Sequence, residues 1–182
     1  MDYARYSRLS ALCVASLIVS GTAGAATQGS LGATSTGSIS IGASVPNRVQ
    51  LSGLTDVSFA NQDPATAAAS AQNVCVWSNT STKGYNVTAT GSGTANAFTL
   101  ANGALTVPYS VEWAQTSGQA SGTALTTGSA LTGLKSTATN ALCAAGPSST
   151  ASMIVKMSTA NLQSMQAATT YTGTLTLVVA PE

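Results

Sequence analysis

The sequence predicts an all-β protein, an antiparallel β-sandwich of immunoglobulin-like type. Several short segments alternate apolar and polar residues, which is the pattern of half-buried strands. Clusters of Gly, Asn, Ser and Pro separate these segments at the spacing of sandwich strands. Leu, Glu, Lys and Arg, which favour helices, are too sparse to build helical faces. We therefore expect little helix.

The N-terminus has the pattern of a secretion signal. Arg5 and Arg8 form a short basic region, a mostly apolar run follows over 9–19, and residues 23–25 give a small-residue A-G-A cleavage site. The apolar run is too short to span a bilayer. We expect residues 1–25 to be removed on export, and we expect no membrane span in the mature chain.

The mature chain begins with a short alternating segment, "SISIGASV", residues 38–45. An extended backbone would place four apolar side chains on one face: Ile39, Ile41, Ala43 and Val45. Two interpretations remain open from the residues alone. The segment is the first strand of the protein's own sandwich, or it is a strand that completes the sheet of a neighbouring molecule.

Further strands are predicted along the rest of the chain. They fall at 48–54, around Val57 and Phe59, at 73–79 and 84–91, in a hairpin over 97–113 that turns at Asn102-Gly103, at 152–158, and at 171–179. Pro108 indicates an edge or a bulge in the second arm of that hairpin. Residues 159–165 predict a helical turn. Residues 114–139 fit one or two weak strands or a loop.

Cys75 and Cys143 are the cysteines that remain after signal cleavage. An even pair in an exported chain predicts one disulfide, and closing so long a loop stabilises the fold by about 4 kcal/mol on the chain-entropy model. The alternative is two separate buried thiols. No histidine or paired carboxylate accompanies the cysteines, so we predict neither a metal site nor a cofactor.

The chain lacks the side chains that most enzyme mechanisms use. Histidine is absent, and there are only 6 Lys and Arg and 5 Asp and Glu. Acyl transfer needs a nucleophile beside a base, and glycoside hydrolysis needs two carboxylates. Asp56 and Asp63 lie close in sequence, but they bracket a predicted strand end. We predict that the protein is not an enzyme, and the missing basic patch argues against nucleic-acid binding.

Four aromatic residues fall on predicted strands: Trp77, Tyr85, Tyr109 and Trp113. Aromatics on alternating strands usually belong to the core, but they also line the sugar-binding faces of lectins. The second possibility gives an alternative function, a secreted monomeric β-sandwich binding module such as a lectin-like adhesin domain.

Two parts of the chain resemble pilus subunits. "ISIGASVPNRVQL", residues 39–51, is similar to the mature N-terminal region of major fimbrial subunits in the colonisation-factor class of chaperone–usher pili, and "VPYSVEW" and "YTGTLTLVV" look like their late segments. "LTDVSFANQDPATAAASAQNVCVWSN", residues 54–79, resembles the spore-coat-U-like archaic pilins, with Phe59, Asp63-Pro64 and Cys75 at the matching positions. Archaic subunits usually carry a cysteine at the start of the first body strand, where this chain has "PNRVQ". This departure leaves Cys143 as the partner of Cys75.

The resemblance implies a structural subunit of a cell-surface pilus or fimbria that supports adhesion or biofilm formation. Subunits of this group are incomplete immunoglobulin-like sandwiches. A periplasmic chaperone covers the gap first, and at the outer-membrane usher the N-terminal strand of the next subunit replaces it, a process called donor-strand exchange. Residues 26–47 would then be a donor-strand extension, and 48–182 the pilin-like sandwich. The partners would be copies of the chain or related pilins, at the cell surface or outside the cell.

Overall fold

The computed structural model describes residues 25–182. The described residues before Pro46 form one unit, and Pro46–Glu182, which we call the body, form a second, compact unit. The strands of the body are β1 (Val49–Ser52), β2 (Ala68–Ser78), β3 (Gly84–Gly91), β4 (Thr99–Asn102), β5 (Leu105–Pro108), β6 (Ser110–Ala114), β7 (Thr123–Ala124), β8 (Ala130–Lys135), β9 (Ala151–Met157) and β10 (Leu175–Pro181). A short 3₁₀ helix (Thr94–Asn96) precedes β4, and one helix, α1 (Thr159–Gln163), follows β9.

The strands form antiparallel sheets. The largest has five strands in the order β1-β2-β9-β6-β7, and the second has three in the order β10-β3-β8. The hairpin β4–β5 forms a separate two-stranded sheet. Apolar side chains from both larger sheets meet in one core, to which β2, β6 and β9 contribute from one side and β3 and β8 from the other. The predicted all-β, antiparallel, sandwich-like fold is confirmed.

Tyr85 and Trp113 join the two larger sheets at the centre of the core. Tyr85 lies on β3 and Trp113 on β6, and both side chains are buried. The Trp113 Nε1–H donates a hydrogen bond to the Tyr85 hydroxyl over 3.2 Å, and the rings meet edge to face at 75°. Burial raises the pKa of Tyr85, and the hydrogen bond from Trp113 opposes that shift. The bond satisfies two polar groups that would otherwise be costly to bury.

Several predicted elements are present with small shifts in their bounds. The hairpin turns at Gly103, whose φ of +57° is the left-handed conformation that glycine adopts readily. Pro108 ends β5, and Tyr109 separates it from β6. The predicted helical turn is α1, whose first turn is capped because the Ser158 side chain accepts a hydrogen bond from the Asn161 N–H.

The strand predicted around Val57 and Phe59 is wrong. The chain from 53 to 59 is a loop, although both side chains are half-buried against the core. The side chain of Gln72 accounts for the loop, because it binds backbone groups that a neighbouring strand would otherwise bind. Its Oε1 accepts a hydrogen bond from the Thr55 N–H over 2.8 Å, and its Nε2 donates to the Thr55 carbonyl over 3.0 Å.

The segment 114–139, left open by the sequence, contains β7 and β8. The latter strand pairs with β3, and the register shifts between Tyr85 and Val87. Gly133 sits at this irregularity with φ of +73°. β2 also begins earlier than the predicted 73–79, because its Ala-rich first half pairs with β9 from Ala68 onward.

Cys75 and Cys143 form a disulfide, as predicted. It ties β2 to the loop before β9, and the two cysteines pack with Ala138 and the half-buried Trp77 in a second small cluster. Hydrogen bonds reinforce the attachment next to the bridge. The Val76 N–H donates to Thr150 Oγ1 over 2.9 Å, and the Val76 carbonyl accepts from the same hydroxyl over 3.1 Å.

Replacing Cys75 should therefore weaken the body. We expect Cys75→Ser to lower the free energy of unfolding by about 2–5 kcal/mol, because the unfolded chain regains the freedom that the bridge removes. Denaturant unfolding would measure the change. Cys143→Ser is the matched control and should cost as much, with no further loss in the double variant. Equal midpoints for the variants and the wild type would contradict this account.

Candidate strand-docking edge

Each of the two larger sheets has an edge strand on either side, and the outer backbone groups of these four strands have no ladder partner within the described residues. Two of the four edges are protected against pairing with a further strand. At one edge of the large sheet, β7 has only 2 residues. At one edge of the small sheet, β8 is interrupted by a register shift and carries Lys135. Short strands, bulges and lysines are the usual means by which proteins prevent edge-to-edge pairing.

The edge formed by β10 has none of these three protections, and its one proline, Pro181, is its last residue. β10 is 7 residues long and pairs with β3 in an unbroken register from Leu175–Gly91 to Pro181–Tyr85. Its sequence, LTLVVAP, contains no charged residue. Within the described chain its ladder is with β3 alone, so its outer edge is available for a further strand.

The core-facing side chains of β10 are less buried than those of its neighbour. Tyr85, Val87 and Ala89 of β3 are completely buried, whereas the corresponding row of β10 is only half-buried although it packs on the same core. β1, the last strand of the large sheet, lies close to β10 and shows the same partial burial. Together they form an apolar surface, here called the β1–β10 strip: Val49, Leu51, Leu175, Leu177 and Val179.

The N-terminal unit contains the predicted donor row. Within it Thr27 and Ser38 form an isolated antiparallel bridge, with hydrogen bonds of 2.9 and 3.0 Å. From Ile39 to Val45 no strand is formed in the described chain, so the predicted strand is absent from the isolated protein. Ile39, Ile41 and Val45 are 74%, 88% and 82% exposed, and Ala43 is exposed as well.

Asn79 holds the first residues of the body. Its Oδ1 accepts a hydrogen bond from the Arg48 N–H over 2.6 Å, and its Nδ2 donates to the Pro46 carbonyl over 2.9 Å. Its own N–H donates to the Arg48 carbonyl over 3.1 Å. Sequence reasoning did not identify Asn79. The available signal was an asparagine placed directly after a strand, where its short side chain reaches nearby backbone groups.

The aromatic residues do not form an open face. Tyr85, Tyr109 and Trp113 are buried in the main core, and Phe98 packs on Tyr109 with ring centroids 5.7 Å apart. Trp77 is half-buried beside the disulfide instead. The four aromatics that raised the possibility of a sugar-binding platform are therefore divided between two interior clusters.

Charged groups are few and serve local structure. Lys156 Nζ lies 2.7 Å from both carboxylate oxygens of Glu112, and this hydrogen bond, together with one from the Gly122 N–H, lowers the pKa of Glu112. Asp63 Oδ1 accepts from the Ala65 N–H in a turn. Residues 25–182 contain no cluster of three potential metal ligands and no helix that is long and apolar enough to cross a membrane.

Comparison with known proteins adds no relative. No protein-family model matches the chain, and no curated protein resembles it significantly. Inference about function therefore depends on the residues themselves, above all on the β1–β10 strip and the exposed row from Ile39 to Val45.

An added strand should stabilise the strip. We expect a synthetic Ser35–Val45 peptide to raise the melting temperature of the isolated body, residues 46–182, by an amount that grows with peptide concentration, because a ligand that binds only the folded state stabilises it by mass action. The same peptide with Ile41→Asp is the control and should have no effect. Equal shifts with both peptides, or none with either, would contradict an accessible edge.

Proposed function

We propose that the protein is a structural subunit of a cell-surface pilus or fimbria that supports adhesion or biofilm formation. In the fibre, Ile39–Val45 of one copy would dock beside β10 of the next. The observation that carries the proposal is the long, regular and uncharged edge of β10, whose core-facing side chains remain half-buried. An exported subunit of this kind would need a periplasmic chaperone and an outer-membrane usher before assembly.

The dimensions of the two partners support this docking. The segment from Ile39 to Val45 is as long as β10, which has 7 residues. Its alternating apolar row matches the period of a strand that buries one face. Gly42, near the centre, has no side chain and no neighbouring atom within reach of a Cβ, so the backbone there is free to approach a partner closely. A one-residue slip would turn the whole row to solvent, and the pattern therefore specifies the register.

The energetics also favour docking over exposure. Burial of each isoleucine contributes about 1.5–3 kcal/mol, and main-chain hydrogen bonds along β10 add affinity in the manner of β-strand addition. Exposed rows of large apolar residues beside a free edge are otherwise an aggregation hazard. A single defined partner for both surfaces removes that hazard.

Electrostatics do not oppose contact between copies. The charged side chains of the mature chain cancel, with four basic residues against four acidic ones: Arg48, Lys83, Lys135 and Lys156 against Asp56, Asp63, Glu112 and Glu182. None of these charges lies in 26–45 or on β10. Self-repulsion between identical molecules is therefore weak, which suits assembly of many copies.

The central substitution for this proposal is Ile41→Asp. We expect it to leave the body folded and its disulfide intact but to abolish fibre formation, because a carboxylate would have to be buried without a partner in the strip. On a detergent gel, surface extracts that are not boiled should show a ladder of multimers for the wild type and a single monomer band for the variant.

The matched control is Ser40→Asp, which adds the same charge one position away. An extended chain points this side chain to the opposite face, so assembly should persist. If both variants assemble normally, the apolar row does not join the subunits. If Ile41→Asp unfolds the isolated monomer, the row contributes to the stability of its own molecule and the proposal is wrong.

A further inference from the structure

The chain between the docking segment and the body is short. Val45 ends the apolar row, and β1 begins at Val49, so the connection consists of Pro46, Asn47 and Arg48. Three residues are enough for a β-hairpin loop. By length alone, the segment could therefore fold back beside β1 of its own molecule and cover its own strip, which would remove the need for a second copy.

Asn79 makes hydrogen bonds to backbone groups of Pro46 and Arg48, the residues that would form the turn of such a hairpin. The bond from its N–H to the Arg48 carbonyl extends the β1–β2 ladder by one position beyond the Val49–Ser78 pair. Its side chain then binds the Arg48 N–H over 2.6 Å and the Pro46 carbonyl over 2.9 Å. These contacts hold Pro46 and Arg48 against the end of β2, in continuation of β1.

We propose that Asn79 is a positioning residue that opposes self-completion of the strip and so favours docking between copies. The proposal depends on the function proposed above, because it concerns which molecule supplies the strand. Reversal of the chain at 46–48 would turn the Pro46 carbonyl away from the end of β2 and so break at least its bond with Asn79 Nδ2. Since each such bond has a modest net effect, we expect the clamp to shift the balance between open and self-completed monomer by about fivefold or more.

The test compares the mature wild-type protein with Asn79→Ala at low concentration, where monomers predominate. Amide hydrogen exchange over Ile39–Val45 should slow by about two- to threefold in the variant, because a fivefold shift toward the self-completed form pairs this segment with its own β1 in a larger fraction of monomers. The fraction of protein that enters fibres should fall correspondingly. Asn161→Ala is the control, because Asn161 Nδ2 makes an equivalent bond to the Pro108 carbonyl over 2.8 Å, away from the junction.

A second variant keeps the test informative if Asn79→Ala folds poorly. Asn79→Asp retains an acceptor for the Arg48 N–H but cannot donate to the Pro46 carbonyl, and it should slow exchange to an intermediate extent. Unchanged exchange in both variants, or strong protection of the segment already in wild-type monomers, would overturn the proposal. Failure of the fibre function would look different, since wild-type protein with a freely exchanging segment would then form no multimers.

Discussion

The outer edge of β10 is the constraint on which the rest of the structure depends. β10 is held to the small sheet by one unbroken ladder with β3, and it lies close to β1, the last strand of the large sheet. Two sheets that approach each other in this way, without a strand to bridge them, leave core-facing side chains half-covered. The apolar strip follows from this arrangement, and the proposed docking of an additional strand depends on it.

The body is built to keep that edge in place while it is open. β1 is held by its ladder with β2, in which Ser52 pairs with Cys75, so the disulfide anchors the strand that supports one wall of the strip. The other wall is supported by β3, whose Tyr85 is bonded across the core to Trp113. Each wall of the strip is therefore held to the body by a strand ladder, which ends at a disulfide on one side and at a buried hydrogen bond on the other.

Most of the sandwich could be predicted from the sequence, because a strand with one buried face alternates apolar and polar residues. β3, β9, β10 and the β4–β5 hairpin were predicted for this reason. The loop at 53–59 was not, since its apolar residues alternate while a glutamine side chain satisfies its backbone. The first half of β2 was missed because its alanines and polar residues carry no strand signal, and only pairing with β9 explains it.

Of the two surfaces in the candidate site, only the N-terminal segment was predictable from the sequence. The row Ile39, Ile41, Ala43 and Val45 is visible in the sequence, but the edge that could receive it exists only after β1 and β10 are brought together in space. The clamp by Asn79 was hidden for the same reason, because it joins residues 31 positions apart that share no local pattern. Local periodicity describes which face of a segment is apolar and leaves the identity of its partner undetermined.

Cross-linking between two different variants tests the central claim most directly. One chain would carry Ile41→Cys, and a second, mixed with it during assembly, would carry a cysteine in place of Leu175, Leu177 or Val179. Because side chains on neighbouring strands lie within disulfide distance, we expect one of these three pairings to give a cross-linked peptide that joins the two chains. Ser40→Cys, facing the opposite side, should give none. Absence of a link at all three positions, in fibres that nevertheless assemble, would contradict docking of this segment beside β10.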